Sequence, residues 1–195
     1  MATDQRADVQ RTAGRRKSPR VPFAVADEIA KHCADAHEPN TVHIEIHLPG
    51  RVHPDRLRDA FERALARHPR VLMRERRRGP FARRYEWELT DGPGAHVVFF
   101  PPRAPGALVR ARERALAEAP SLLSAPPLRL EVVEEPDSRG CVLLFTVHHT
   151  ALDGPACLRI AATAAEIYSG HAAPAVPAPV RPPAGPALRP GGASA

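Results

Sequence analysis

Two adjacent histidines followed by an aspartate and a glycine, His148-His149-Thr150-Ala151-Leu152-Asp153-Gly154, put the residue types of acyl-transfer chemistry at one point of this 195-residue chain. The run before them, Cys141 to Val147, is apolar and bounded by Gly140, the pattern of a central strand buried on both faces. Side chains alternate along a strand. His149 should therefore share a face with Leu143, Phe145 and Val147, and His148 the other with Val142, Leu144 and Thr146. Histidines that diverge cannot converge on one ion, and no other ligands stand at zinc-like spacing, so no metal site is expected. An imidazole at the mouth of a dry strand stays neutral near pH 7, because burial disfavours its cation. A general base needs that form. His149 is the candidate to accept a proton from an attacking amine or hydroxyl, a role worth roughly 10²–10⁴ in rate. His148 is expected to hold the loop by hydrogen bonds.

Asp153 and Gly154 stand where a helix would start, with Pro155 at its first position and Leu158, Ala161, Ala162, Ala165 and Tyr168 as its apolar stripe. Asp153 then reads as an N-cap. Free amides near Gly154 would suit a developing oxyanion, since helix N-termini favour negative charge.

The pattern HHxxxDG resembles the signature of the superfamily that contains chloramphenicol acetyltransferase, the plant-type acyltransferases and the condensation domains of nonribosomal peptide synthetases. The likeness covers residues 20 to 170 and is nearer the condensation branch. Thr41-Val-His-Ile-Glu-Ile-His-Leu-Pro-Gly50, Asp55-Arg-Leu-Arg-Asp-Ala-Phe61 and Ala66-Arg-His-Pro69 resemble the first strand, first helix and arginine-histidine motif of a condensation domain's N-terminal lobe. Pro127-Leu-Arg-Leu130 leads into the motif, and Tyr168-Ser-Gly170 follows it. The resemblance implies an α/β fold, the chloramphenicol acetyltransferase-like two-layer sandwich, as a single lobe. It further implies transfer of a thioester-bound acyl or aminoacyl group to an amine or hydroxyl. No cofactor would be bound, and the substrate would arrive as a phosphopantetheine or coenzyme A thioester, carried in the first case by an acyl or peptidyl carrier protein. In the family the motif aspartate pairs with an arginine and the glycine lets backbone approach the substrate, which would make Asp153 and Gly154 architectural. The family arginine is displaced here, because Val71 and Leu72 follow His68-Pro69-Arg70, so Arg67 or Arg74 would have to stand beside Asp153.

Several elements would position the motif. Val42, Ile44 and Ile46 alternate with His43, Glu45 and His47, giving a strand with an apolar face and a polar face that is expected to meet solvent. His43 and His47 lie about 13 Å apart at strand rise and cannot share a metal. Residues 54 to 68 place Leu57, Ala60, Phe61, Ala64 and Leu65 at helical spacing behind Pro54. Strands are expected at 71–77, 83–89, 95–100 and 128–135, with a helix at 106–119. Tyr85, Trp87 and Leu89 should share a core-facing side. Strands alternating with helices argue for an α/β domain.

The organisation read from composition is a basic tail at 1–19, a lobe at 20–171 and a Pro/Ala-rich linker or tail at 172–195. Condensation enzymes resemble two such lobes in series, so a second lobe, or self-association as in the trimeric chloramphenicol acetyltransferases, would be needed to wall in His149; a truncated or degenerate chain that serves only to dock a carrier protein or synthetase is the remaining reading. The net charge is +6, but only Lys17 and Lys31 are lysines and the arginines are spread, so no nucleic-acid partner is expected. The cluster Arg74, Arg76, Arg77, Arg78, Arg83 and Arg84 would complement an acidic carrier. Cys33, Cys141 and Cys157 fall outside CxxC patterns and fit reduced thiols in the cytoplasm. No membrane segment or phosphate-binding glycine loop is read.

Overall fold

The computed structural model describes residues 18–33, 39–94 and 96–171. The segment 172–195 and all but the last two residues of the expected basic tail lie outside them. Twelve elements follow in order: β1 (Arg20–Pro22), α1 (Val25–Cys33), β2 (Thr41–Leu48), α2 (Pro54–Arg67), a 3₁₀ turn (Pro69–Val71), β3 (Met73–Glu75), β4 (Glu86–Leu89), β5 (Val98–Phe99), α3 (Ala107–Ala117), β6 (Leu128–Val133), β7 (Cys141–His148) and α4 (Gly154–Ser169).

β7 is central, as its apolar composition requires. The larger sheet runs β2-β7-β6-β5, with β7 antiparallel to both neighbours and β5 parallel to β6. Register places Val42 opposite Val147, Ile44 opposite Phe145 and Ile46 opposite Leu143, so the apolar residues of β2 and the odd-numbered residues of β7 share one face. α2 and α4 cover that face. Leu57, Phe61, Ala64 and Leu65 of α2 and Cys157, Ile160 and Ala164 of α4 join Leu130, Phe145 and Val147 in the main core. Full burial of side chains of this size stabilises by about 1.5–3 kcal/mol each. The α2 positions expected to be buried are the ones that are.

The other face corrects an expectation. His43, Glu45 and His47 were read as meeting solvent, but α3 lies across this side of the sheet. Ala107, Ala111 and Ala115 pack on Leu144 and Val133, their small side chains allowing close approach. Arginines on either side of that alanine stripe then reach the sheet. Arg112 grips Glu45 of β2 with two bonds of 2.7 Å, Arg114 reaches Glu131 of β6 at 2.5 Å, and His43 Nε2 bonds the carbonyl of Ala115 at 2.8 Å. Of these three side chains of β2, His47 stays exposed.

α4 carries a second correction. The expected stripe of Leu158, Ala161, Ala162, Ala165 and Tyr168 is not the buried one: Cys157, Ile160, Thr163 and Ala164 are, while Leu158 is 52% exposed. The helix is apolar nearly all round, so periodicity alone does not say which side the sheet takes. Gly170 ends it in the left-handed region, φ 75°, where glycine has no steric penalty.

The smaller sheet, β1-β4-β3, packs through Phe23, Trp87 and Leu122, with Phe23 stacked on Trp87 at 4.0 Å between centroids and half-buried Tyr85 alongside. The strand expected over 71–77 shortens to Met73–Glu75 because the backbone first closes a 3₁₀ turn through Val71 and Leu72. Among the described residues no helix is long and apolar enough to cross a membrane.

Candidate active site

The motif begins where β7 stops. His148 is the last strand residue and is buried; His149, one residue on, is exposed. The burial that was expected to keep His149 neutral therefore acts on His148 instead. Burial, and next the cation of Lys31, hold the His148 pKa below the usual imidazole value, with Glu75 pulling the other way. The His148 carbonyl accepts from Ala151 N at 3.0 Å and Leu152 N at 3.1 Å, which turns the chain towards α4. Its ring Nδ1 accepts from Thr150 N at 3.3 Å, so the neutral ring carries its proton on Nε2. These bonds make His148 a support of the loop.

His149 is held by backbone. Its N–H donates to the Asn40 carbonyl at 2.9 Å, and the Asn40 side-chain amide donates to Ala30 O at 3.0 Å, so one asparagine ties the motif to α1. Among the described residues the His149 ring has no hydrogen bond. Thr150 is buried beside it, and its hydroxyl has no hydrogen-bond partner among the described residues.

Asp153 caps α4: its Oδ1 accepts from Ala156 N at 2.7 Å, with extended φ and ψ of −93° and 168°. Neither arginine considered for it is a partner. Arg74 pairs with Glu88 at 2.9 Å, and Arg67 makes no ion pair among the described residues. The neighbour of Arg67 is more informative. His68 Nε2 meets the Thr163 hydroxyl at 2.9 Å, and that hydroxyl gives its proton to Arg159 O at 2.9 Å, so Nε2 of His68 is the donor. The arginine-histidine segment thus pins the end of α2 to the middle of α4, two turns beyond the motif. Burial, followed by the charges of Arg159 and Arg67, lowers the His68 pKa. Gly154, the first residue of α4, has open space where a Cβ would stand.

Sequence reasoning missed α1. Its polar residues face inward: Asp27 Oδ2 accepts from Trp87 Nε1 at 3.1 Å, and Lys31 Nζ lies 2.5 Å from Glu75. Its apolar side faces out, with Val25 76% and Ile29 59% exposed. The signal available was Asp27 three residues after Ala24, whose N–H it accepts at 3.1 Å.

An open cavity of about 480 Å³ lies between α4 and the sheet, lined by Ile46, Leu143, Phe145, Leu158, Ala162 and Tyr168 among others. It contains none of the motif histidines, and its walls offer no charge to orient a reacting group. Cys157 is buried with its thiol pushed up to about 12, and Cys141 is also raised by burial, so neither is a thiolate nucleophile. Among the described residues no three or more His, Cys, Asp and Glu side chains gather as a metal ion would require.

No protein-family model matches the chain. Two curated relatives from Mycobacterium tuberculosis, uncharacterized protein MT2362 of strain CDC 1551 / Oshkosh and uncharacterized protein Rv2305 of strain H37Rv, are each 34% identical over 131 residues, 67% of this chain. The chain spans 29% of their length. Among solved structures it is similar to the condensation domain of the monacolin K polyketide synthase MokA (TM-score 0.64, 16% identity, covering 81% of this chain and 36% of that one). It is also similar to the starter condensation domain of rhizomide synthetase RzmA (0.63, 14%, 82% and 42%) and to the chain matched in the complex of the X-domain and OxyB from teicoplanin biosynthesis (0.62, 20%, 78% and 34%). The fold is the chloramphenicol acetyltransferase-like α/β fold of condensation domains.

Proposed function

We propose that this chain is the histidine-bearing N-terminal lobe of a condensation-type acyltransferase, which joins a thioester-bound acyl or aminoacyl group to an amine or hydroxyl. One observation carries the reading: HHTALDG leaves the central strand with its first histidine locked in the loop and its second presented on the surface. In the reaction the acceptor nitrogen or oxygen attacks the thioester carbonyl carbon, His149 takes the proton released, the carbon–sulfur bond breaks, and the proton passes to the departing thiolate. A neutral imidazole can take the first step as base, and the imidazolium it becomes can take the second as acid. The donor would be a phosphopantetheine or coenzyme A thioester, so the protein partner in the first case is an acyl or peptidyl carrier protein. Asp153 and His148 hold the loop, and Gly154 leaves the helix N-terminus open to a thioester oxygen.

The exposure of His149 supports the need for a second wall, supplied by a second condensation lobe or by another copy of the chain. Positioning two substrates in near-attack geometry requires surfaces on both sides of the base. The competing reading is a docking module without catalysis, favoured by the absence, among the described residues, of a side chain orienting the His149 ring. The test is His149→Ala in the chain together with whatever covers it, presented with an acyl thioester and an amine, with product followed by mass spectrometry. Loss of product at unchanged circular dichroism supports the base. Retained turnover removes His149 from the mechanism. A solution mass near three times 21.2 kDa would assign the second wall to self-assembly.

A further inference from the structure

The connection between β3 and β4 leaves the sheet from the site itself. β3 ends at Glu75, which holds Lys31 of α1 and whose charge acts on His148. The next eleven positions, 76 to 86, carry Arg76, Arg77, Arg78, Arg83 and Arg84 against a single acid, Glu86. The structure sorts these charges. Arg74 and Arg76 are neutralised at the root of the hairpin by Glu88 and Glu86, at 2.9 and 2.7 Å. Arg78 lies over the Tyr85 ring, 4.3 Å from its centroid, and donates to the Ala82 carbonyl at 2.8 Å. It braces the tip while keeping its charge. Arg77, Arg83 and Arg84 are exposed and make no ion pair among the described residues. Between them Phe81 stands 93% exposed, the most exposed of the large apolar side chains.

A phenylalanine left in water forgoes the free energy that burial of its ring would give. Set among guanidinium groups that have no ion pair among the described residues, it joins an aromatic ring to arginines, residue types enriched at protein interfaces. We propose that the β3–β4 hairpin tip is the docking surface for an acidic protein, with Phe81 as the apolar anchor and Arg77, Arg83 and Arg84 as the charges that steer it. Resting on the function proposed above, that protein is the thioester carrier, held by a hairpin whose first strand ends at Glu75, the partner of Lys31 on α1. The patch is compact, and two of the six arginines from 74 to 84, Arg74 and Arg76, are already paired at the root. A nucleic acid would call for an extended basic track, which the hairpin does not offer.

The experiment measures binding of a phosphopantetheinylated, acidic acyl carrier protein to the full chain by fluorescence anisotropy at 50 and 300 mM salt. Wild type is expected to bind more weakly at the higher salt, because exposed charges are screened. Arg77→Glu/Arg83→Glu/Arg84→Glu should weaken binding by at least about tenfold and flatten the salt dependence, and Phe81→Ala should weaken it at both salts alike. Arg→Gln at the same three positions gives a milder version that separates loss of attraction from damage to the hairpin. Unchanged binding in the charge-reversed chain overturns the proposal. So does preferential binding to anionic phospholipid vesicles or single-stranded RNA over the carrier. In the wild-type chain together with its second wall, carrier docking without product would leave the surface standing and remove the catalytic reading, whereas product formation indifferent to the charge reversal would do the reverse.

Discussion

Asp153 separates two accounts of how the motif loop is held, and replacing it distinguishes them. In the structure its carboxylate accepts one bond, from Ala156 N at 2.7 Å, and the side chain is exposed. Removal of an N-cap acceptor costs about 1 kcal/mol, within a range of about 0.5–2. For a domain of this size that corresponds to a fall of roughly 2–4 °C in Tm. Asp153→Ala should show that loss in thermal and urea denaturation, while Asp153→Ser and Asp153→Asn, which keep an oxygen acceptor, should recover most of it. A buried loop-fixing ion pair would behave otherwise, because breaking one costs roughly 3–5 kcal/mol and Asn could not replace the charge. The decisive assay is a double-mutant cycle with Arg67→Ala and with Arg74→Ala. Neither arginine touches Asp153, so both coupling energies should fall below about 0.5 kcal/mol. Coupling above about 1 kcal/mol to either, or an Asn variant as damaged as Ala, would refute the capping account.

Other substitutions test the packing around the site. At Gly140 a Cβ would overlap the Leu48 carbonyl oxygen, which is backbone and cannot swing aside, so Gly140→Ala should lower the urea midpoint far more than an ordinary loop change. Thr163→Val removes the acceptor of His68 and should cost about 1–3 kcal/mol, since the imidazole N–H is left without its partner. His68 and His148 both have native pKa values below 6.5, so between those values and 6.5 the unfolded chain binds more protons; stability is full above pH 6.5 and falls as pH drops through the depressed native values. Urea midpoints from pH 8 to 5 should show this slope, and it should be shallower in His148→Asn. Glu45, lowered to about 2 chiefly by its bonds to Arg112, titrates later: its contribution is present above 4.5 and is lost as pH falls towards 2. Because the pair is partly exposed, Glu45→Gln should cost no more than about 1 kcal/mol at pH 7.

The elements legible in the sequence are those whose pattern is set by one large buried face. β2 alternates, α2 starts at a proline and carries five core residues at helical spacing, and β7 is continuously apolar. What stayed hidden depends on partners distant in sequence. α3 covers the polar face of β2 because Arg112 meets Glu45 across 67 positions, and nothing local in either segment announces it. α1 is held by Asp27 to Trp87 and Lys31 to Glu75, 60 and 44 positions away, and since its apolar side points outward no core-facing stripe marked it as a packed helix. β3 and β5 were expected as the longer strands 71–77 and 95–100, and β1, with three residues, is too short for alternation to register. At the site, the capping role of Asp153 was readable from the Asp-Gly-Pro start of α4. The exchange of environments between the histidines was not, because it turns on β7 ending at His148 and not one residue later.

The outward face of α1 bears on what completes the site. α1 is tied to the motif through Asn40 and Ala30, and its Lys31 acts on His148, so a surface that covered Val25 and Ile29 would rest on a helix already bonded to the motif loop. If His149 is the base proposed above, closing the site over its exposed ring, which has no hydrogen bond among the described residues, would both exclude competing water and strengthen every polar contact inside it. Val25→Ser/Ile29→Ser provides the test. Both side chains are already in solvent, so the isolated chain should keep its stability within about 0.5 kcal/mol. If α1 meets the second wall, the same double substitution should weaken association with that wall and reduce product formation in proportion, leaving the hairpin's hold on a carrier untouched. A marked loss of stability in the isolated chain would instead show that Val25 and Ile29 pack within the lobe, and the second wall would have to be sought away from α1.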